Sequence, residues 1–243
     1  MKILIIRHGD PDYAHDCLTE RGRREAELLA DRICAMDIKA FYVSPLGRAR
    51  ETASYTLNRL HRTATECPWL REFAPCIRRP DVTDRRSIAW DWLPQDWTEE
   101  EDFYRRDLWM HHPVMEEANV PQEYQWVTEN LDRLLAEYGY VREKNVYRAE
   151  KANRDTIAFF CHFGLESVLI GHLTGISPML LWHHTVAAPT SVTTIYTEER
   201  RKGIALFRVG AFGDTSHLYL AGEEPSFSAR FCETYDCQEE RHD

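Results

Sequence analysis

The apolar and polar positions of the first 60 residues follow two alternating patterns. Short apolar runs, "KILII" at 2–6 and "AFYV" at 40–43, are typical of buried strands. Each run is followed by a segment in which apolar residues recur every three or four positions, as in an amphipathic helix. Thr19 is a suitable N-cap for the first helix, and Ser44 with Pro45 for the second. The order strand, helix, strand, helix predicts a parallel sheet with right-handed crossovers.

A different pattern fills the segment from about 68 to 140. Six tryptophans, several prolines and dense mixed charge occur there, and we interpret most of the segment as a helical insertion, with a lid at about 74–125. Its last part, 126–138, has apolar residues at helical spacing, which predicts a helix that packs back on the sheet. The insertion therefore separates the predicted strands into two groups.

The parallel pattern resumes after the insertion. The run "TIAFFC" at 156–161 predicts a strand, and the apolar spacing after it predicts a helix. Two further apolar runs, "SVTTIYT" and "GIALFRVG", flank the charged turn "EERRK" and predict a β-hairpin at one side of the sheet. We therefore predict a single α/β domain over 1–243, a three-layer α/β/α sandwich whose sheet is mostly parallel and carries a helical lid.

Charge narrows the range of ligands. The chain has 243 residues, enough for one large α/β domain, and its 30 basic and 40 acidic residues give a net charge of −10. This balance argues against a nucleic-acid partner, because binding to a phosphate backbone requires a positive face. A small anionic ligand would need a local cationic pocket.

The cysteines and the apolar runs bear on the compartment. The seven cysteines are odd in number, widely spaced and without a CxxC pair, which is typical of free thiols in a reducing compartment. The first predicted strand begins at residue 2, which leaves no room for a signal peptide. No apolar run approaches the roughly 18 residues that a membrane span needs. We therefore expect a cytoplasmic protein without a membrane partner.

Histidines and arginines follow three of the predicted strands directly. Arg7 and His8 come after the first strand, Arg48 lies in the first turn of the helix after the second, and His162 follows "TIAFFC". In an open parallel sheet, ligands bind in the crevice at the carboxyl ends of the strands. The sequence therefore predicts two histidines and two arginines in one crevice.

These residue types favour phosphate chemistry. An arginine presents a planar fork of donors that matches phosphate oxygens, so Arg7 and Arg48 could hold a phosphoryl group from two sides. A neutral imidazole is a competent nucleophile, so one histidine could attack phosphorus and the other could stabilise charge on the transferring oxygens. Gly9 would let the chain pass close behind the reacting ring.

At this point the sequence resembles the histidine phosphatase superfamily, in the branch that includes the cofactor-dependent phosphoglycerate mutases. The matching pieces are "RHG" at 7–9, "LTERG" at 18–22, "SPLGRARETA" at 44–53, "LREF" at 70–73 and "CHFG" at 161–164. The resemblance implies that His8 is the nucleophile that becomes phosphorylated. The residues implied around the phosphate are His162, Arg7 and Arg48, with Gly9 and Thr19 as further substrate-binding candidates.

The family also uses a carboxylic acid to protonate the leaving oxygen, in an L-x-E motif ahead of the variable insertion. That motif falls on Leu70 and Glu72, so the resemblance implies Glu72 as general acid in the first step and general base in the second. Asp10, Asp81 and Asp84 are alternatives that could lie as near.

Departures from the mutase pattern favour hydrolysis. The typical mutase motif is similar to "RHGES" followed by a W-N pair, whereas this chain has "RHGDPDYAHD". After the second histidine, the chain has "CHFG" in place of the more common H-G-G. We therefore expect a metal-independent phosphatase without a cofactor that acts on a small phosphorylated substrate. The alternatives are a mutase and a catalytically silent domain that binds a phosphorylated ligand.

One further cluster has two interpretations. The arginines 71, 78, 79, 85 and 86 lie within a short span of the insertion. They could recognise a second anionic group of the substrate. The acidic residues interleaved with them could instead neutralise them at the surface, which is the commoner outcome for such clusters.

Overall fold

The computed structural model of the protein describes residues 1–82, 85–228 and 233–237. Its α helices are α1 (Glu20–Cys34), α2 (Gly47–Leu60), α3 (Pro94–Trp97), α4 (Pro113–Glu117), α5 (Val120–Glu137), α6 (Phe163–Thr174), α7 (Pro178–His184) and α8 (Ser216–Leu220). Its strands are β1 (Lys2–Arg7), β2 (Pro11–Asp12), β3 (Cys17–Leu18), β4 (Ala40–Val43), β5 (Thr65–Glu66), β6 (Cys76–Ile77), β7 (Ser87–Ile88), β8 (Tyr140–Glu143), β9 (Val146–Ala149), β10 (Thr156–Cys161), β11 (Val192–Arg201) and β12 (Ile204–Asp214).

One large sheet organises the fold. Its strand order is β5-β4-β10-β1-β11-β12-β9-β8. The strands β5, β4, β10 and β1 pair in parallel, whereas the remaining pairs, from β1–β11 to β9–β8, are antiparallel. Helices pack on both faces of this sheet, which confirms the predicted three-layer α/β/α architecture.

The alternation of side chains along β1 divides the core into two. Ile3 and Ile5 point into the larger core, which they share with α5, α6, α7 and the insertion. Leu4 and Ile6 point to the other face, where residues of α1 and α2 cover them. Because β1 is buried on both faces, its sequence is a continuous apolar run.

The sheet is more mixed than we predicted. The predicted hairpin exists as β11 and β12, but β11 pairs with β1 in the middle of the sheet instead of lying at one side. Most of the charged run "EERRK" belongs to β11, which continues to Arg201. The sequence pattern also missed β8 and β9, because each strand has only four residues and charged side chains interrupt its apolar pattern.

The insertion consists of short elements. Within its described residues, α3 has four residues and α4 has five, and 3-10 turns and a small β6–β7 ladder connect them. Trp92, Trp97 and Trp109 are buried and belong to the larger core. Packing of these large rings, more than helix propensity, therefore holds the insertion on the sheet. None of the described helices combines the length and apolar character that a membrane crossing requires.

The first turn of α1 packs against the loop that follows β1. The Thr19 hydroxyl accepts a hydrogen bond from Gly22 N at 3.0 Å, which confirms the predicted N-cap. A Cβ atom on Gly22 would lie 2.2 Å from the carbonyl oxygen of Asp10, and one on Gly9 would lie 2.6 Å from the carbonyl oxygen of Gly22. The two glycines therefore permit the close approach of "RHG" and "LTERG".

We predict that Gly22→Ala destabilises the protein. Alanine would favour the helix by about 1 kcal/mol. The overlap is with a backbone oxygen, which cannot rotate away, so the loop after β1 has to move, at a cost at the upper end of the usual range for overpacking, about 2–3 kcal/mol. We expect a net loss of about 1–2 kcal/mol in the free energy of unfolding, measured with denaturant. Arg24→Ala, an exposed change on the same helix, is the control and should cost less than about 1 kcal/mol. An unchanged or raised stability of Gly22→Ala would contradict this account.

Candidate active site

The carboxyl ends of β1, β4 and β10 bring the predicted histidines and arginines together. Arg7 ends β1 and His8 follows it, Arg48 is the second residue of α2, and His162 follows β10. The ring centroids of His8 and His162 lie 5.1 Å apart, and Arg48 Nε lies 3.2 Å from His8 Nε2. All four residues are buried. The parallel half of the sheet thus assembles the crevice that the sequence predicts.

The hydrogen bonds of His8 fix the roles of its two nitrogens. Nδ1 lies 2.7 Å from the carbonyl oxygen of Gly9, which can only accept, so Nδ1 carries the proton. Nε2 therefore has a lone pair, and this lone pair accepts from Arg48 Nε. Desolvation, followed by the nearby charges of Arg7 and Arg48, lowers the pKa of His8 well below its usual value. His8 is a neutral imidazole with a nucleophilic nitrogen near neutral pH.

His162 is hydrogen-bonded to Ser44, the residue that the sequence pattern predicts as the N-cap of α2. The Ser44 hydroxyl lies 2.7 Å from His162 Nε2 and accepts from Leu46 N. The prediction that Ser44 caps α2 is wrong, because α2 begins only at Gly47 and has no side-chain cap. His162 Nδ1 is buried and finds no partner within the described part of the chain. Burial and the neighbouring His8, Arg48 and Arg7 lower the pKa of His162, so this ring is neutral too.

Arg7 is held by backbone oxygens from distant segments. Its Nη1 donates to the carbonyl oxygen of Ala187 at 2.6 Å, and its Nη2 donates to that of Ser228 at 3.1 Å. The segment with Ser228 is itself anchored, because Ser226 N donates to the buried carboxylate of Glu25 at 3.0 Å. Carbonyl oxygens orient the guanidinium group and leave its positive charge in place.

Arg48 is oriented by a carboxylate at the mouth of the site. Its Nη1 donates to Asp16 Oδ1 at 2.6 Å, and the other oxygen of Asp16 accepts from Gly47 N at 2.6 Å. The Asp16 side chain is 42% exposed, so water screens its charge, whereas Arg48 is buried. Nothing in the sequence pattern singled out Asp16.

Glu72 lines a pocket together with Arg7 and Arg48, and its side chain is partly buried there. Its Oε1 accepts from Phe73 N at 2.9 Å and from Leu165 N at 3.0 Å. Both bonds go to the same oxygen, which leaves Oε2 available to carry a proton. Desolvation raises the pKa of Glu72 above its usual value, although the two N–H donors and the two arginines oppose this shift.

The pocket has a cationic end and an apolar remainder. Its volume is about 460 Å³, within the range of small-molecule sites. The residues that line it are Arg7, Tyr13, Leu46, Arg48, Arg71, Glu72, Ala74, Ile88, Trp90 and Phe163. A group the size of a phosphoryl ester can reach both arginines and Glu72 from this side.

The other acid candidates have separate partners. Asp10 accepts from the hydroxyls of Thr19 and Ser226, and Asp81 pairs with Arg79 at 2.6 Å. Asp84 lies outside the described residues. Among the acids that the structure describes, Glu72 is the one that lines the pocket.

Two predicted substrate-binding residues have structural contacts. The Thr19 hydroxyl is engaged by Asp10 Oδ2 and Gly22 N, and Thr19 does not line the pocket. Gly9 N donates to Thr52 Oγ1 at 3.0 Å, which fixes the loop behind His8. We therefore attribute to both residues the shaping of the loop after β1.

Three of the five arginines in the cluster, residues 71, 78 and 79, are engaged in ion pairs. Arg79 is buried and pairs with Asp81 and Asp91, and Arg78 lies 3.6 Å from Glu117. Arg71 reaches the pocket, where it already bonds to a glutamate of α5. This arrangement supports the interpretation that neighbouring acids neutralise the cluster.

Cys161 is buried in the core, and burial raises the pKa of its thiol well above the usual value, which favours an inert packed side chain. Within residues 1–82, 85–228 and 233–237, no three histidine, cysteine or acidic side chains are grouped closely enough to hold a metal ion.

The protein has an α/β fold in which two arginines and two histidines meet at adjoining strand ends. This is where ligands bind in such sheets, and arginine is the residue type that suits phosphate. The family model of the histidine phosphatase superfamily (branch 1) matches residues 3–209. The chain therefore belongs to this superfamily, whose members are phosphatases or mutases.

Curated relatives match part of the chain. It is 32% identical over 128 residues to the serine/threonine-protein phosphatase Pgam5, mitochondrial, of Drosophila erecta, which is 48% of this chain and 44% of that protein. It is 40% identical over 91 residues to the Drosophila persimilis protein of the same name, 33% of this chain and 31% of that protein. The chain thus spans less than half the length of these relatives. Our expectation of a cytoplasmic protein stays a prediction.

Solved structures share the fold. A phosphoserine phosphatase variant from Entamoeba histolytica in complex with phosphoserine has a TM-score of 0.56 at 18% identity, covering 89% of this chain and 98% of that one. A mycobacterial glucosyl-3-phosphoglycerate phosphatase has a TM-score of 0.54 at 15% identity, with coverages of 87% and 98%. The α-ribazole phosphatase of Shigella flexneri has a TM-score of 0.51 at 21% identity, with coverages of 88% and 97%.

We predict that Gly164→Ala reduces activity without a comparable loss of stability. A Cβ atom there would lie 2.8 Å from Glu72 Oε1 and 2.4 Å from Trp90 Nε1, so both side chains would have to shift. General acid catalysis typically raises the rate by roughly 10²–10⁴-fold. If Glu72 is the general acid that the resemblance implies, its displacement loses part of this rate enhancement, and we expect kcat to fall at least tenfold.

The control for this change is Gly175→Asn at the C-cap of α6. Gly175 has a φ of +80° and no close neighbour, and asparagine tolerates this conformation. Steady-state kinetics with an alkyl phosphate and denaturant unfolding of both variants provide the comparison. Full activity of Gly164→Ala would show that the position of Glu72 is unimportant.

Proposed function

We propose that this protein is a metal-independent phosphatase that hydrolyses small phosphomonoesters through a phosphohistidine on His8. The observation that carries the proposal is the lone pair of His8 Nε2, which is buried beside two arginines and a second neutral histidine. Both of these arginines and Glu72 line one pocket. Membership of a superfamily of phosphatases and mutases supports it, as do structural neighbours named as phosphatases of phosphoserine and glucosyl-3-phosphoglycerate.

In the first step the phosphoryl group moves to His8. Arg7 and Arg48 bind the phosphoryl oxygens, and Arg48 exchanges its hydrogen bond with His8 Nε2 for one to an oxygen of the ester. The released lone pair attacks phosphorus, so that an N–P bond forms while the ester P–O bond breaks. The proton on Glu72 passes to the leaving oxygen, and the product is an alcohol.

In the second step water releases the phosphate. Glu72, now a carboxylate, takes a proton from a water molecule as the water oxygen attacks phosphorus. The N–P bond breaks, inorganic phosphate leaves, and both His8 and Glu72 return to their starting forms. His162 Nδ1, which has no partner within the described residues, can donate to the phosphoryl oxygens as their charge develops.

The loop after His8 favours hydrolysis over mutase activity. Its sequence, "RHGDPDYAHD", differs from the mutase pattern, and it contributes Tyr13 to the pocket and Asp16 to Arg48. A mutase must hold a phosphorylated hydroxy acid in two orientations. Incubation with 3-phosphoglycerate separates the two activities, because a phosphatase releases inorganic phosphate whereas a mutase forms the 2-isomer.

We predict that His8→Ala abolishes hydrolysis of p-nitrophenyl phosphate. The wild type should also form a phosphoenzyme that survives alkaline quenching and is lost in acid, and the variant should form none. His111→Ala, which removes an exposed histidine of the insertion, is the matched control and should keep wild-type rates. Full activity of His8→Ala would refute the mechanism. Ligand binding without turnover by the wild type would identify a silent binding domain.

We predict an alkaline limb in the pH profile of kcat/KM that depends on Glu72. The acid must be protonated, and burial raises its pKa, so activity falls as the pH rises through that raised pKa. The low pKa of His8 keeps the nucleophile neutral well into the acidic range. Glu72→Gln should lose the limb and roughly 10²-fold or more of the rate on an alkyl phosphate.

The same variant separates acid catalysis from binding. p-Nitrophenolate is a good leaving group that needs little protonation, so Glu72→Gln should retain far more of its rate on p-nitrophenyl phosphate than on an alkyl phosphate. Equal losses on both substrates would contradict the role of Glu72 as general acid.

A further inference from the structure

We propose that the site prefers phosphomonoesters whose organic part is flat and apolar over esters that carry a second anionic group. This inference rests on the proposed function, because it concerns the part of the same pocket that the phosphoryl group does not fill. Two observations support it: the apolar side chains that line this part of the pocket, and the ion pair in which Arg71, the remaining arginine there, already takes part.

Trp90 and Phe163 form a fixed aromatic wall. Their ring centroids lie 6.0 Å apart with the planes at 89°, the edge-to-face arrangement that aromatic pairs prefer. The indole Nε1 donates to the carbonyl oxygen of Phe73 at 2.9 Å, so the polar atom of Trp90 is already satisfied. What the two side chains offer a ligand is therefore apolar ring surface.

Four further lining residues add to this surface. Leu46, Ala74 and Ile88 line the pocket, together with the exposed ring of Tyr13. Ile88 is held at this place by the β6–β7 ladder, in which it pairs with Cys76. Because rings and aliphatic side chains bound this space, a flat apolar group can fill it with little desolvation cost.

Arg71 is the one cationic side chain that lines the pocket besides the phosphate-binding pair, among the residues that the structure describes. Its Nη2 donates to both oxygens of Glu123 at 2.8 Å, and its guanidinium group lies 5.1 Å from the ring centroid of Trp126. A carboxylate or second phosphate on the substrate would have to share Arg71 with Glu123, whose charge already balances that of the guanidinium group. The charge available beyond Arg7 and Arg48 is thus neutralised, which disfavours a doubly anionic substrate.

The test compares 2-phenylethyl phosphate with 3-phosphoglycerate. Both esters release a primary alcohol, so the chemical step is similar and kcat/KM reports the fit of the organic part. Apolar pockets discriminate by roughly 10–200-fold for a single group, and we expect a preference of at least tenfold for 2-phenylethyl phosphate.

The outcomes are distinguishable. Equal rates on the two esters, or a preference for 3-phosphoglycerate, would overturn this inference and leave the proposed function, which hydrolysis of p-nitrophenyl phosphate also tests, intact. Failure to hydrolyse any of the three esters would instead defeat the proposed function.

Two variants test whether the pocket wall causes the preference for 2-phenylethyl phosphate. Trp90→Ala should reduce it at least fivefold by lowering kcat/KM for 2-phenylethyl phosphate. Ile88→Lys, at a half-buried strand position, should lower that value and raise the one for 3-phosphoglycerate, because it places an unpaired cation on the wall. Tyr196→Ala, an equivalent truncation of an exposed aromatic ring on β11, is the control and should leave the ratio unchanged. An unchanged ratio in both wall variants would refute the assignment.

Discussion

The structure depends on the burial of two guanidinium groups beside two imidazole rings. Such a cluster is stable only if the cations have acceptors, and it can bind phosphate only if those acceptors leave its charge in place. The fold meets both conditions with carbonyl oxygens on Arg7 and with the solvent-screened carboxylate of Asp16 on Arg48. The same burial and charge keep His8 and His162 neutral, and only a neutral imidazole can attack phosphorus.

Close backbone approach is the second requirement. Gly9 and Gly22 let the loop after β1 lie against the first turn of α1, which fixes the backbone oxygen that orients His8. Gly164, in the first turn of α6, leaves space that the side chains of Glu72 and Trp90 fill. Glycines thus permit the close approach of the segments that carry His8 and Glu72.

Glu72 and part of the pocket wall, with Ala74, Ile88 and Trp90, come from one stretch of the chain. Phe73 contributes its N–H to Glu72 and its carbonyl oxygen to Trp90, so one residue couples the position of the acid to that of the aromatic wall. This coupling gives a physical reason why the insertion can affect both the rate of proton transfer and the choice of substrate.

The sequence by itself determined the local elements and the chemistry of the strand ends. The apolar runs located β1, β4 and β10, and the residues after them supplied Arg7, His8, Arg48 and His162, because strand and helix periodicity is a local property. Only the tertiary structure decided which groups hold these side chains, since Asp16, Ser44 and Ser228 reach them across long stretches of chain. It also decided the antiparallel half of the sheet and the irregular insertion, where packing of large rings and edge-strand pairing override any periodic signal.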